Sequence, residues 1–441
     1  MKRLVICCDG TWNRPDSQYV TNIEKIARTV QIDSASVESG VQQSVVYLSG
    51  VGVGYGVDRI LGGAFGFGLF SNVLAGYRFL ASNYEPGDEI YVFGFSRGAY
   101  TARSLCGMIG KAGLLTRKAL VDEKLPEAVA RYTRLETQSG QSDAEFRRDY
   151  CHPDTPIHFL GVFDTVGALG VPGAMRRKHQ FHDVKLSKAV LCARQALAID
   201  EPRMKFEPCL WEDTGAEGEA ERVRQVWFEG AHSDVGGGVS PTGLPDTALL
   251  WMVSEANKRG LVFDEELLQR YICSGSSPQR HDPSRPMYRL LDLVIRAKIR
   301  LGRASGAAFL GRQRRLDRAD CVSVRIAEAA ADHYRDDSPP FGAPADLAGG
   351  KAPAPDRTKY QPRNVVQYSE VTHDFSESIE PTINLPEASY TEVVSRLAMR
   401  GVALGTPGTP DPAPGPTPPP AAGSQSFPAS RKPATESENV T

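Results

Sequence analysis

The apolar run Ile90-Tyr91-Val92-Phe93-Gly94-Phe95 passes directly into Ser96-Arg97-Gly98, after which Ala99, Ala102, Leu105, Cys106 and Ile109 recur with helical spacing. A continuous apolar run of this length is what a strand buried on both faces requires. Ser96 therefore stands where a buried strand turns into an amphipathic helix, with glycines two residues before and after it. A turn this tight lifts a side chain above the edge of a sheet, and the flanking glycines let strand and helix approach each other closely. Gly-x-Ser-x-Gly is a weak pattern alone, and it is the strand-to-helix setting that gives it content.

The same rhythm recurs along the first 260 residues. Strands are predicted at Leu4 to Cys8, Ser44 to Ser49, Ile157 to Phe163 and Arg224 to Glu229. Helices are predicted after Thr21-x-x-Glu24, which reads as a capping box, over Phe70, Val73, Leu74, Tyr77 and Leu80, over Leu186, Ala189, Val190, Ala193 and Leu197, and from about Asp246. Alternating strands and helices imply an α/β fold of the α/β-hydrolase kind, a mostly parallel sheet with helices on both faces. The expected organisation is a catalytic domain over 1–260, an accessory or lid region with remaining hydrolase elements over 261–402, and a tail over 403–441. Ten of the 31 prolines fall after Thr406, so the tail is expected to be disordered.

Composition excludes some partners. With 51 Lys and Arg against 53 Asp and Glu, the chain has no global electrostatic footprint for nucleic acid, and none is expected as a partner. Its eight cysteines are scattered without a Cys-x-x-Cys pair, which favours reduced thiols over a zinc site. The start Met1-Lys2-Arg3-Leu4-Val5-Ile6-Cys7-Cys8-Asp9 is too short in apolar residues for a signal peptide, and no apolar run is long enough for a transmembrane helix. The expectation is a protein that is cytoplasmic as synthesised, with secretion by a signal-independent route left open.

A serine hydroxyl becomes a useful nucleophile only with a general base and a group that fixes the base's tautomer. Two predicted strand ends supply them: Asp164-Thr165-Val166-Gly167, and Gly230-Ala231-His232-Ser233-Asp234 leading into Val235-Gly236-Gly237-Gly238. Both lie at strand C-terminal ends, the edge where such sheets carry active sites. The expected set is Ser96, Asp164 and His232, with Asp234 as alternative acid and His373 as alternative base; Asp164 as a simple turn residue and His232 as a structural histidine are the plainer readings. The oxyanion of acyl transfer needs backbone N–H donors, expected from Arg97 and from Gly10 in the loop after the first strand. Asp9 beside that loop would repel an oxyanion, so it should point away, bond to Thr11 or Asn13, or hold a cation, with Asp234 as a further ligand. No cofactor is required by this chemistry.

Five ordered blocks, Cys8-Asp9-Gly10-Thr11-Trp12-Asn13, Gly94-Phe95-Ser96-Arg97-Gly98-Ala99, Phe163-Asp164-Thr165-Val166-Gly167, Ala196-Leu197-Ala198-Ile199-Asp200-Glu201 and Trp227 to Gly237, resemble those of an uncharacterised α/β-hydrolase family that includes the catalytic domains of type VI secretion phospholipase effectors. The resemblance spans about residues 1–260. It implies a serine esterase or lipase, phospholipase-like, acting through an acyl-enzyme on Ser96 with His232 as base and Asp164 as acid. It implies a lipid or other ester substrate; protein partners are not specified.

Two stretches suit transient contact with a membrane surface. Ile60 to Phe70 is an uncharged, glycine-rich apolar segment that reads as a loop or lid, or equally as a buried packing loop. Between Arg285 and Arg318, ten basic residues face two acidic ones, with Leu290, Leu291, Val294 and Ile295 on an apolar side; this reads as a basic amphipathic helix on anionic lipid, or as a solvated helix packed on its own domain. Two other functions compete. Cys8-x5-Arg14 and Cys7-x-Asp9 hint at phosphatase-like chemistry, but Asp9 would raise the thiol pKa and repel phosphate. A non-catalytic, hydrolase-like binding scaffold would have no need of a Ser, an acid and a His at three strand ends.

Overall fold

The computed structural model describes residues 1–11, 13, 18–32, 40–50, 62–134, 141–166, 186–212 and 218–272, with short pieces at 280–281, 283, 293, 296–297, 309–310, 313–314, 316, 324–327 and 376–377. The chain divides into two units, 1–402 and 403–441. The second unit, and with it the Pro-rich tail, lies outside the described residues, as do residues 51–61, most of the basic stretch 285–318, and His373.

Six strands carry the site: β1 (Lys2–Cys8), β2 (Gln42–Leu48), β3 (Glu89–Phe95), β4 (Ile157–Phe163), β5 (Ala193–Ala198) and β6 (Val223–Phe228). They pair in the order β2-β1-β3-β4-β5-β6, and the sheet continues with Val324–Ala327 and Ser376–Glu377, eight strands among the described residues. Every pairing within it is parallel. All strand C-termini therefore open on one edge. The order reverses around β1, so the loops after β1 and β3 diverge there, which is where open α/β sheets leave a crevice.

Parallel strands need covering on both faces, and the alternation of side chains along β1 divides the core accordingly. Leu4, Ile6 and Cys8 pack with Ile90, Val92, Leu160 and Val162 under α2 (Gly62–Asn83) and α3 (Arg97–Ala112), through Val73, Tyr77, Leu80, Ala102 and Leu105. Val5 and Cys7 face the other way, with Tyr91, Phe93 and Phe159, against Ile23 and Ile26 of α1 (Asn22–Thr29) and the helix Gly243–Asn257. Each buried aliphatic side chain contributes roughly 1.5–3 kcal/mol. Thr21 caps α1 through its hydroxyl, which accepts the Glu24 N–H at 3.2 Å, and the buried pair Lys25 Nζ–Asp246 Oδ1, 2.5 Å apart, ties α1 to Gly243–Asn257.

Two expectations are corrected. The segment around Ala193 and Leu197 is not a helix: Ala193–Ala198 is strand β5, buried at every position. Its Ala, Arg, Gln and Leu are good helix formers, but pairing with β4 and β6 and burial on both faces override so weak a preference. The apolar segment ending at Phe70 is not a loop, since α2 opens at Gly62. Among the described residues no helix is long and apolar enough to cross a membrane. The six cysteines described are free thiols, and all but Cys209 are buried.

The approach of α3 to β1 gives a stability test. A Cβ on Gly98 would lie 2.2 Å from the Cys8 carbonyl oxygen and 2.5 Å from that of Asp9. Gly98→Ala is expected to cost about 1–3 kcal/mol through overpacking. In the same helix a Cβ on Gly107 meets nothing closer than Tyr132 at 3.8 Å, so Gly107→Ala is expected to stabilise by about 0.5–1 kcal/mol. Thermal unfolding should move the two midpoints in opposite directions.

Candidate active site

Ser96 follows β3 with φ 57° and ψ −118°, a backbone conformation that side chains other than glycine adopt only when their surroundings enforce it. The enforcement is visible: the Ser96 N–H donates to the Phe163 carbonyl of β4 at 2.9 Å, and the Ser96 carbonyl accepts the Tyr100 N–H at 3.3 Å as α3 begins. The serine thus stands at the N-terminus of a 16-residue helix without capping it through its side chain.

Asp164, the residue after β4, is also a non-glycine residue at positive φ, 38°. It is fully buried, and its N–H donates to the Ala196 carbonyl of β5 at 2.6 Å. His232 comes from two strands away, at the start of the short helix His232–Gly236 after β6. Three contacts bring its imidazole back over β5. The Asp200 N–H donates to the Gly230 carbonyl and the Gly230 N–H to the Asp200 carboxylate, at 2.9 and 2.8 Å, and the His232 N–H donates to Glu201 Oε2 at 3.2 Å. The ring itself lies between Phe95 and Phe206, with centroids 4.7 and 4.9 Å away. Gly236 keeps room for that arrangement, since a Cβ there would sit 1.9 Å from the Phe95 ring.

The result is a continuous chain of hydrogen bonds. His232 Nδ1 is 2.6 Å from Asp164 Oδ2 and His232 Nε2 is 2.8 Å from Ser96 Oγ. An ionised carboxylate only accepts, so Nδ1 carries the proton and Nε2 is left to accept the serine hydroxyl's. Burial alone would raise the Asp164 pKa, but the Arg314 guanidinium and His232 together hold its carboxyl well below the usual carboxylate range. Chemically, the arrangement can take a proton from Ser96 and return it to a leaving group.

The alternative residues sit elsewhere. Asp234 is turned away from the imidazole: Oδ2 accepts the Ala231 and His281 N–H groups at 2.8 and 3.1 Å, and Oδ1 takes the His281 ring Nδ1. Burial pushes the Asp234 carboxyl up, against those donors. Gly10 does not present its N–H to the site, because that group donates to Asp9 Oδ1 at 2.6 Å. Arg97 is the first residue of α3, directly after Ser96. Asp9 bonds to Asn13 Nδ2 at 3.3 Å, as one expectation had it, but not to Thr11; the Thr21 and Tyr47 hydroxyls, each at 2.6 Å, complete its shell. Four protein donors therefore stand where a cation would have to bind, and burial raises the Asp9 carboxyl. Among the described residues no group of three or more His, Cys, Asp and Glu side chains gathers to hold a metal ion. The phosphatase-like alternative meets a buried Cys8 whose thiol is pushed up to about 12 by burial and by Asp9.

Sequence reasoning missed two residues. Glu201 is fully buried, and its carboxyl, which burial would raise, is lowered by the two bonds from Arg203, at 2.6 and 2.8 Å. Glu201 lay in one of the five blocks and carried a signal of position if not of role. Arg314 lay in the basic stretch read as a wet or lipid-facing helix; instead it is on the two-residue strand Gln313–Arg314, fully buried against Asp164.

The chain is 32% identical over 232 residues to the uncharacterized protein YEL023C of Saccharomyces cerevisiae, a match covering 47% of this chain and 32% of the relative. It therefore spans about a third of the length of that curated relative. Among solved structures it is similar to an uncharacterized protein from Pseudomonas aeruginosa, with TM-score 0.37, 17% identity, and 60% of this chain and 47% of that one covered. It is also similar to the Tle1 effector solved bound to the VgrG spike of the type VI secretion system, with TM-score 0.33, 21% identity, and 54% and 51% covered. The model of the family described as type VI secretion system phospholipase effector Tle1-like, catalytic domain, matches residues 2–255. With more than half of its length matched, the chain belongs to the Tle1-like phospholipase effector family, through that family's catalytic domain.

Proposed function

We propose that the protein hydrolyses carboxylic esters of lipids, phospholipids among them, through an acyl-enzyme on Ser96. The observation that carries this reading is the unbroken line from Ser96 Oγ through His232 to Asp164, with heavy-atom separations of 2.8 and 2.6 Å. Family membership supports the substrate class. In the first half-reaction Ser96 Oγ attacks the ester carbonyl while its proton passes to His232 Nε2. Asp164 holds the ring by Nδ1–H and stabilises the imidazolium. The tetrahedral oxyanion meets the Arg97 N–H at the positive end of α3, with the second donor expected from another N–H of the loop after β1, since that of Gly10 is engaged. His232 then protonates the departing alcohol, and water repeats the sequence on the acyl-enzyme.

The decisive experiment is a panel of phospholipid vesicles and chromogenic short-chain esters, run on purified protein beside Ser96→Ala. The variant is expected to lose on the order of 10^3-fold or more in kcat with its unfolding midpoint nearly unchanged, because no core volume is removed. His232→Ala should match it and His373→Ala should be mild. A Ser96→Ala protein that keeps its activity refutes the nucleophile, and a parent inactive on every ester favours the binding scaffold.

The two aspartates separate in the same assay. Per folded molecule, Asp164→Asn is expected to cost on the order of 10^2-fold or more through loss of tautomer control. Asp234→Asn should cost little in kcat and lower the unfolding temperature, and neither effect should respond to a chelator. Because Asp164 stays ionised well below the usual carboxylate range, a single proton, the one taken by His232, should account for the acid limb of kcat/KM, which falls with a slope of about one in log units. A slope near two would mean that a second carboxylate titrates with the base.

A further inference from the structure

We propose that Arg314 is a positioning residue that clamps the Asp164 carboxylate in the orientation the His232 imidazole requires. The inference rests on the serine-hydrolase reading and adds to it a residue from beyond 2–255, the stretch matched by the family model.

Arg314 lies in the two-residue strand Gln313–Arg314, paired antiparallel with Phe309–Leu310. Its side chain is fully buried. Nη1 donates to Asp164 Oδ1 at 2.5 Å and to the Ala198 carbonyl at 2.9 Å; Nη2 donates to Asp164 Oδ2 at 3.0 Å and to the Phe206 carbonyl at 2.5 Å. A guanidinium with both terminal nitrogens on one carboxylate fixes its plane as well as its charge, which an ammonium does not. The Ala198 N–H adds a bond to Oδ1 at 3.0 Å. Oδ1 thereby takes two donors, from Arg314 and from β5, while Oδ2, which takes Nη2 of Arg314, turns its second lone pair to Nδ1 of His232. The same side chain reaches the carbonyl of Phe206, whose ring packs edge-on against the imidazole. Arg314 thus holds both the acid and one wall of the base. It joins to the site a part of the chain whose sequence suggested only a basic surface.

The electrostatic consequence has a definite sign. Removing a cation from beside the Asp164–His232 pair makes that pair bind its proton more tightly. A side chain that merely filled space would not move the pH dependence.

The test uses the full chain and compares Arg314→Gln, Arg314→Lys, Asp164→Asn and the Arg314→Gln/Asp164→Asn double variant with the parent and Ser96→Ala on a chromogenic short-chain ester. Expected for Arg314→Gln is a kcat loss of about tenfold or more with KM changed less than about threefold. Its acid limb of kcat/KM should move to higher pH by about half a unit or more. Arg314→Lys, which keeps the charge, should restore the parent's acid limb and recover only part of kcat. In the Asp164→Asn background the Arg314→Gln loss should vanish, since the residue acts through that carboxylate. An Arg314→Gln protein with the parent's kcat and pH profile, or losses that multiply independently with those of Asp164→Asn, overturns the proposal. If Arg314→Gln does not fold by circular dichroism, the same cycle with Arg314→Lys decides: coupling to Asp164→Asn supports the clamp, and independent or absent losses overturn it. An active Ser96→Ala would sink the serine-hydrolase reading instead, whatever the Arg314 variants do.

Discussion

A carboxylate with no access to water is costly to hold in a fold, and the arrangement of the site follows from accommodating one. Asp164 is completely buried yet ionised, a state that survives only when every lone pair is met and a counter-charge is close. The partners come from three places in the chain: the Ala198 N–H at the end of β5, the His232 ring beyond β6, and the two terminal nitrogens of Arg314. None of these is near Asp164 in sequence. The sheet has to be assembled, through β6 at least, before the charge has a home.

Parallel topology is what makes that convergence cheap. Because β3, β4, β5 and β6 all run the same way, the residue following each strand emerges at one edge, and loops of a few residues suffice to bring Ser96, Asp164, Glu201 and His232 together. The cost appears as local strain. Ser96 and Asp164 are two of only three non-glycine residues at positive φ among those described. Each has its N–H held by a carbonyl of the adjacent strand, Phe163 for the first and Ala196 for the second. Strain held by neighbouring strands is stable to fluctuation, so the hydroxyl and carboxylate are kept at hydrogen-bonding distance from the ring between them without help from flexible loops.

How much of this could be read from the chain follows the same logic. Ser96, Asp164 and His232 stand at the ends of runs that announce themselves by apolar continuity, and strand ends are where such sheets do chemistry. β5 was hidden because Ala-Arg-Gln-Ala-Leu-Ala has the residues of a helix and becomes a strand only between β4 and β6. Gly10 looked like an oxyanion donor by position, and nothing in the residue order says that the Asp9 side chain folds back onto its N–H. Arg314 was invisible for a deeper reason. A basic residue among nine others reads as solvated on composition, because the cost of burying one guanidinium is offset by a partner 150 residues away. Local pattern carries information about burial for apolar side chains, whose environment is set by hydrophobicity; it carries almost none for a charge whose environment is set by a distant counter-charge.

The charges around the imidazole also explain why two carboxylates serve one histidine. Asp164 is paired with Arg314 and Glu201 with Arg203, so the four fixed charges nearly cancel while the ring is neutral. In the proposed reaction a proton passing from Ser96 to His232 would place positive charge beside this balanced cluster, and the compensating negative charge would develop on the substrate at the N-terminus of α3. Each acid is thus met by an arginine of its own, and in the proposed reaction the charge that develops on the imidazole would be answered by the oxyanion forming opposite it. The division of tasks follows from contact: Glu201 holds the backbone of His232, Asp164 holds its ring, and the charge of each is met by its arginine.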